Sequence, residues 1–449
     1  MEVLPSSLSY SASKQSLRIN RFQSRPTSGD SGGPNSTFRF NLPSKSLVDL
    51  SSFVLAFDLT VSNLVDDAAN YANVKLPHGH KLIKSLKVYV GGQAVSGHLC
   101  NDYDILHNAL LKASVGEDWC LSRLNEHAKE LIAPGDDVTD LKVRPGATSK
   151  VASYLVSDFL GIFRGNGTGR SIIDTSLWGD VSIEVTLNNE GCMAQYRGGT
   201  GSTANITFKV ENVESYVSCI TQTTPLYIKL ITMLLDSREQ QIRFPYQNFV
   251  SNISTSGSNA RFQVNSGCID SMVVVPLSEN YQLARAAAGA SNIDPDAQIN
   301  PTRYRYNSGK ACDTLAASKG CAMQIQIGSD TFPKLPIDNA LHVANITQDS
   351  LFSNSLYSQN LLFNDLGTGA AGYYNRTAFL NENFVWVQSF CDQEGWASKI
   401  LTGIDTASQN LDIILNTAAK TAAGSVFMGA LLTSMLVFDT KTGVVSVVQ

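Results

Sequence analysis

Short segments in which apolar and polar residues alternate, each ended by a Gly, Pro or Asn turn, recur along this chain and point to β-sandwich architecture. Phe38-Arg39-Phe40-Asn41-Leu42 alternates until Pro43 stops it, and Phe53-Val54-Leu55-Ala56-Phe57-Asp58-Leu59-Thr60-Val61 alternates again. Successive strand side chains point to opposite faces, so this pattern buries one face and wets the other. Leu86-Lys87-Val88-Tyr89-Val90 ends at Gly91-Gly92, and further strands are expected near 151–163, 181–187 and 206–217. Gly-rich turns at 165–169 and 197–201 separate them. After a bridge over 226–235 the pattern restarts at Gln241-Ile242-Arg243-Phe244-Pro245. Strands then follow near 272–275, 323–327, 384–390, 411–415 and 431–438. Tyr103, Leu106 and Leu110 stand at helical spacing, with Asn101 or Asp102 as the N-cap.

A chain of 449 residues is long for one β-domain. The first 37 residues hold ten serines and four basic side chains, which reads as a flexible arm. The expected division is an arm over 1–37, a first sandwich over 38–236 and a second over 237–449. A faint internal repeat agrees with it. Ile173-Asp174-Thr175 precedes the strand at 181, and Ile404-Asp405-Thr406 precedes the strand at 411, 231 residues further on. Val88-Tyr89-Val90-Gly91 and Ile325-Gln326-Ile327-Gly328, 237 residues apart, each lead toward a helix. Two nearly equal offsets in the same order favour tandem domains.

Charge and cysteine usage narrow the function. Net charge is −5 and no Lys/Arg block occurs, so strong direct binding to nucleic acid through counterion release is not expected. Only 16% of residues are charged, a composition suited to subunits that pack against neighbours. The start carries no basic region followed by an apolar stretch, so no secretory signal is read. The eight cysteines have no CxxC spacing and are expected to be buried free thiols. The largely apolar stretch 422–438 is short for a bilayer span and reads as a pair of core strands, leaving no transmembrane segment.

Candidate chemical motifs dissolve on inspection. Gly29-Asp30-Ser31-Gly32-Gly33-Pro34 matches the nucleophile loop of chymotrypsin-like proteases, but there the His and Asp come earlier in the chain, and only 28 residues precede this motif, without a histidine. Gly165-Asn166-Gly167-Thr168-Gly169 lacks the following Lys of a phosphate loop and reads as a hairpin turn. His78-Gly79-His80 offers two metal ligands without a third. Asp136, Asp137 and Asp140 read as a solvated loop, without the alternating oxygen ligands of a calcium site. Six Asn-x-Ser/Thr sequons, at 35, 166, 205, 252, 345 and 375, are expected by chance in so Asn- and Ser-rich a chain. No catalytic, cofactor-binding or metal residue is expected, and no enzyme activity.

The chain resembles the double-jelly-roll major capsid proteins of the lineage of adenovirus, polinton-like viruses and tailless phages. Phe38-Arg39-Phe40-Asn41-Leu42-Pro43, then Val48-Asp49-Leu50-Ser51 as a turn into the second strand, resembles the opening of the first roll. Gln324-Ile325-Gln326-Ile327-Gly328 with Phe332-Pro333 and Pro336-Ile337 resembles the entry to the helix of the second roll. Gly403-Ile404-Asp405-Thr406, Leu436-Val437-Phe438-Asp439 and Val444-Val445-Ser446-Val447 resemble its last strands. The resemblance implies an all-β fold of two tandem jelly-roll sandwiches with short helices in the connecting loops. It implies a structural capsid subunit of a DNA virus, a homotrimer forming pseudo-hexagonal capsomers. Its partners would be neighbouring capsomers and penton and minor capsid proteins. Its place would be the virion capsid, synthesised and assembled inside the host cell. Two rivals remain at this stage: the tandem coat protein of a small RNA virus, which would carry a basic arm, and a two-sandwich carbohydrate-binding protein, which would carry a signal peptide and clustered aromatics.

Overall fold

The computed structural model describes residues 18–63, 65–66, 71–75, 79–114, 149–164, 171–192, 194–198, 207–221, 241–254, 259–276, 323–337, 340–351, 385–391, 403–408, 411–417, 426–439 and 441–448. They form antiparallel sheets arranged as two sandwiches. In the first, β1 (Arg18–Ser24), β12 (Thr207–Thr221), β3 (Leu47–Ser62) and β8 (Ser149–Val156) make one sheet in that order, with β9 (Ile172–Asp174) beside β3. Against it lies the sheet β2 (Thr37–Asn41), β10 (Val181–Leu187), β6 (Ile83–Val90), β7 (Gln93–Ser96). A small sheet of β11 (Ala194–Gly198), β5 (Tyr71–Lys75) and β4 (Val65–Asp66) is attached.

The second sandwich repeats this plan. Its sheets run β13 (Gln241–Ser254), β20 (Val426–Asp439), β15 (Ile269–Pro276), β18 (Trp386–Ser389), and β14 (Asn259–Gln263), β19 (Asp412–Thr417), β16 (Met323–Ile327), β17 (Asp330–Ile337). β21 (Val445–Val448) pairs with the end of β20. Taken in chain order, β1, β2, β3, β6, β7, β8, β10 and β12 correspond one for one to β13 through β20. Helix α1 (Tyr103–Ser114) lies between β7 and β8, and its counterpart α3 (Ala340–Leu351) lies between β17 and β18. A one-turn helix, α2 (Thr175–Trp178), precedes β10 and is capped by the Asp174 carboxylate.

Alternation places the core. Phe38 and Phe40 of β2 and Phe53, Leu55, Phe57, Leu59 and Val61 of β3 are buried, with their neighbours half-buried or exposed. Phe40 meets Phe53 across the sandwich at 6.4 Å, and Phe53 packs on Phe159 and Phe163. The buried apolar residues of both sandwiches form one continuous cluster.

The all-β expectation of tandem jelly rolls with short connecting helices holds, and several local readings are corrected. Residues 18–24, assigned to a flexible arm by composition, are β1, in register with β12 from Arg18↔Thr221 to Ser24↔Ser215. An edge strand draws on backbone hydrogen bonds, which composition does not display. Val48-Asp49-Leu50-Ser51 lies within β3 instead of in a turn. Residues 161–163 form a 3-10 turn instead of extending β8. The stretch ending at Phe438 holds one long strand, β20, and not two. The boundary expected at 236 and 237 falls outside the described residues, as do Gly165–Gly169, Asp136, Asp137, Asp140 and His78.

Candidate functional site

The most elaborate constellation is the junction where the two sandwiches meet. The edge strand β7 and the residues that follow it receive β13. Tyr246 donates its hydroxyl to Val95 O at 2.8 Å, and Ser251 N–H donates to Leu99 O at 3.2 Å. Buried Asn248 turns Oδ1 to Gly97 N–H at 3.2 Å and to Phe249 N–H at 2.8 Å, bridging both domains with one acceptor. Gly97 has φ +70°, and a Cβ there would lie 1.9 Å from Leu86 O. Only glycine satisfies both constraints. Phe249 fills the space beside it and packs on Tyr103 at 5.7 Å. Trp178 of the first sandwich meets Phe244 and Phe438 of the second edge-to-face at 6.3 and 5.9 Å. Leu106 of α1 comes so close to Gly429 of β20 that a Cβ there would sit 2.8 Å from it. The junction is buried and interdigitated, as a domain core is.

Beneath it lies a buried polar cluster. The His80 and His107 rings stack at 3.5 Å, 17° from parallel. His80 Nε2 meets Ser157 O at 2.6 Å and His107 Nε2 meets Asp158 O at 3.3 Å, so each Nε2 carries a proton. Tyr103 accepts from Leu160 N–H at 3.2 Å and reaches His80 Nδ1 at 3.5 Å. The histidines thus hold the segment 157–160 that leads into the junction. Burial keeps the Lys81 ammonium below its ordinary range, opposed by the carboxylate of Asp104. Burial, reinforced by Asp104, pushes Asp102 up to about 6, and burial raises the Cys100 thiol to about 12. These shifts follow from desolvation within a structural cluster.

The sequence repeat marks equivalent joints. Thr175 N–H donates to Ser46 O at 2.9 Å, Ser46 N–H donates back to Thr175 Oγ1 at 2.9 Å, and Thr175 Oγ1 reaches Pro43 O at 2.9 Å. In the second sandwich, Thr406 N–H donates to Ser266 O at 2.9 Å, Ser266 N–H to Thr406 Oγ1 at 3.3 Å, and Thr406 Oγ1 to Val264 O at 2.6 Å. Asp174 and Asp405 each accept the backbone N–H two residues on, both at 2.9 Å.

No protein-family model matches this chain, and no curated protein matches it by sequence. Solved structures do. The PBCV-1 virus capsid model is 12% identical over 97% of each chain, with a TM-score of 0.57. PBCV-1 VP54, fitted into a reconstruction of the virophage Sputnik, is 12% identical over 97% of each chain at 0.56. The Faustovirus major capsid protein is 10% identical over 94% of this chain and 90% of its own, at 0.54. The chain has the double-jelly-roll fold of viral major capsid proteins.

Within that double jelly roll, the motifs singled out in the sequence take structural places. Gly32 exchanges backbone hydrogen bonds with Val210 at 2.8 and 2.7 Å, which ties the GDSGGP segment to the first sheet. His80 stacks in the core, and among the described residues no group of three His, Cys, Asp or Glu is placed to hold a metal. Cys100, Cys192, Cys219, Cys268 and Cys391 are buried free thiols, while Cys120, Cys312 and Cys321 lie outside the described residues. No described helix is long and apolar enough to cross a membrane. Sequence reasoning missed the junction residues. Positive-φ Gly97, Asn248 and Phe249 carry no local signature, because what they recognise is the other half of the chain.

Proposed function

We propose that this chain is the major capsid subunit of an icosahedral DNA virus, acting by assembly and performing no bond-making chemistry. One observation carries the reading: two jelly rolls of the same topology are joined in one chain by a buried junction. A rigid pair of similar walls lets three chains present six, so a homotrimer becomes a pseudo-hexagonal capsomer that tiles with neighbouring capsomers. Penton and minor capsid proteins would complete the shell at its vertices. The net charge of −5 leaves the genome without a strong electrostatic partner on this subunit. The virion capsid, built inside the host cell, is the corresponding location. Negative-stain electron microscopy of the expressed protein tests the reading. Pseudo-hexagonal particles or closed shells are expected, and a field of small compact monomers at micromolar concentration would overturn it.

A further inference from the structure

Two buried thiols of the second roll converge on one carboxylate. Cys268 stands just ahead of β15, and Cys391 stands two residues beyond β18. Cys268 Sγ donates to Asp270 Oδ1 at 3.4 Å, and Cys391 Sγ meets the same oxygen at 3.5 Å. Cys391 Sγ also lies 3.5 Å from Asp270 O, and the Thr433 hydroxyl donates to Asp270 Oδ2 at 2.8 Å, which fixes the carboxylate. Strand pairing explains the convergence. β15 and β18 are in register at Ser271↔Ser389, and Phe390 N–H continues the ladder to Asp270 O at 2.9 Å. One step further, that register sets Cys391 opposite Ile269 and diagonal to Cys268. Such a diagonal is about 6 Å between α-carbons, inside the roughly 4.4–6.8 Å that a disulfide spans. In a regular pleat diagonal neighbours point to opposite faces, but β18 has ended at Ser389 and both sulfurs reach Asp270.

We infer that Cys268 and Cys391 are a site of reversible covalent modification, a dithiol that a low-molecular-weight disulfide converts into an intrachain disulfide locking the end of β18 to β15. Cys391 is 8% exposed against 2% for Cys268, so it meets the reagent first. Its sulfur attacks the reagent's S–S bond, forms a mixed disulfide and releases one thiol. Cys268 then attacks Cys391 Sγ, the protein disulfide forms and the second thiol leaves. Two protein thiols are oxidised, one reagent disulfide is reduced to two thiols, and the cysteine protons end on the released thiols. Burial, with the Asp270 charge beside it, raises the Cys268 thiol to about 11, so the second step is slow and the pair stays reduced under brief exposure. The bridge ties down β18, a four-residue strand at the edge of its sheet, and closes a loop that carries β16, β17 and α3. Closing so long a loop removes freedom from the unfolded chain and favours the folded one. The inference concerns a single chain and stands apart from the assembly reading.

Reduced full-length protein is incubated with oxidised glutathione, denatured in excess alkylating reagent and mapped by mass spectrometry without reduction. A peptide pair joined through Cys268 and Cys391 is expected, in chains that run as single chains on a non-reducing denaturing gel. The oxidised protein should melt roughly 5 °C or more above the reduced one, and dithiothreitol should reverse the shift. Cys268→Ala should leave glutathione trapped on Cys391, and Cys391→Ala should abolish the linked peptide and the shift. Mapping of the wild type decides the pairing even where a variant fails to fold. Recovery of both cysteines separately alkylated would overturn the inference, as would either one linked to a different cysteine or to a second chain. A linked pair whose melting temperature is unchanged or lower would overturn the lock.

Discussion

β12 and β20 hold the same place in their two rolls and are buried quite differently. β12 alternates, with Phe208, Val210, Val213, Val217 and Cys219 buried and Lys209 and Asn212 exposed. β20 is buried at every residue from Val426 to Ser434. One topology therefore supports two environments. The sheet around β20 has its outer face covered by the first roll of the same chain, with Leu106 against Gly429. The sheet around β12 keeps a polar outer face bearing Asp58, Lys209 and Glu211. The two halves thus share a topology and differ in which of their faces the chain itself covers.

Substitutions that fill the covered junction sharpen this contrast most. Gly97→Ala drives a methyl onto Leu86 O and forces a positive φ on alanine, at an expected cost on the order of 4 kcal/mol or more. Thermal melting should show little or no folded protein. Phe249→Ala removes the aromatic anchor of β13 and should cost ~3–5 kcal/mol in denaturant unfolding. Phe22→Ala on the counterpart strand should cost under about 1 kcal/mol in the monomer. Equal losses at Phe249 and Phe22 would break the contrast between a buried β13 and a more exposed β1.

Other pairs probe what the halves share. Thr175→Val and Thr406→Val each remove the hydroxyl of an equivalent joint and leave buried backbone partners unsatisfied, at ~1–3 kcal/mol. The two losses should agree to within about 1 kcal/mol, and a large disparity would deny that the repeat is structural.

The helices differ in chemistry. α3 is held by hydroxyls, with Val387 N–H donating to Thr347 Oγ1 at 3.0 Å and Ser389 N–H to Ser350 Oγ at 2.9 Å. α1 instead gathers Asp104, His107 and the preceding Asp102. Asp102 binds its proton more tightly folded than unfolded, so the native state loses stability as pH rises from about 4 through about 6. Asp102→Asn should therefore stabilise at pH 7 by ~1–2 kcal/mol and give no gain below about pH 4. Urea midpoints across that range check it. A gain independent of pH would remove the electrostatic account.

Much of the fold was legible because alternation is a local signal. Phe38–Asn41, Val181–Leu187 and Met323–Ile327 declare their buried faces in four to seven residues, and Asp-Thr at 174–175 and 405–406 betrays the repeat. β1 was illegible because Arg18-Ile19-Asn20-Arg21-Phe22-Gln23-Ser24 does not alternate and is ordered by the edge of β12. β20 was misread because burial on both faces erases the alternation that separates one strand from two. The junction was invisible for a related reason: Asn248 and Gly97 are defined by a partner more than a hundred residues away in sequence. Likewise the His78-Gly79-His80 motif hid a core stacking residue, since His107 lies on another element.

The measurement that bears most directly on the account is the mass of the full-length protein in solution, by sedimentation equilibrium at micromolar concentration. The account predicts a stable three-chain species. A single-chain mass at every concentration would contradict it.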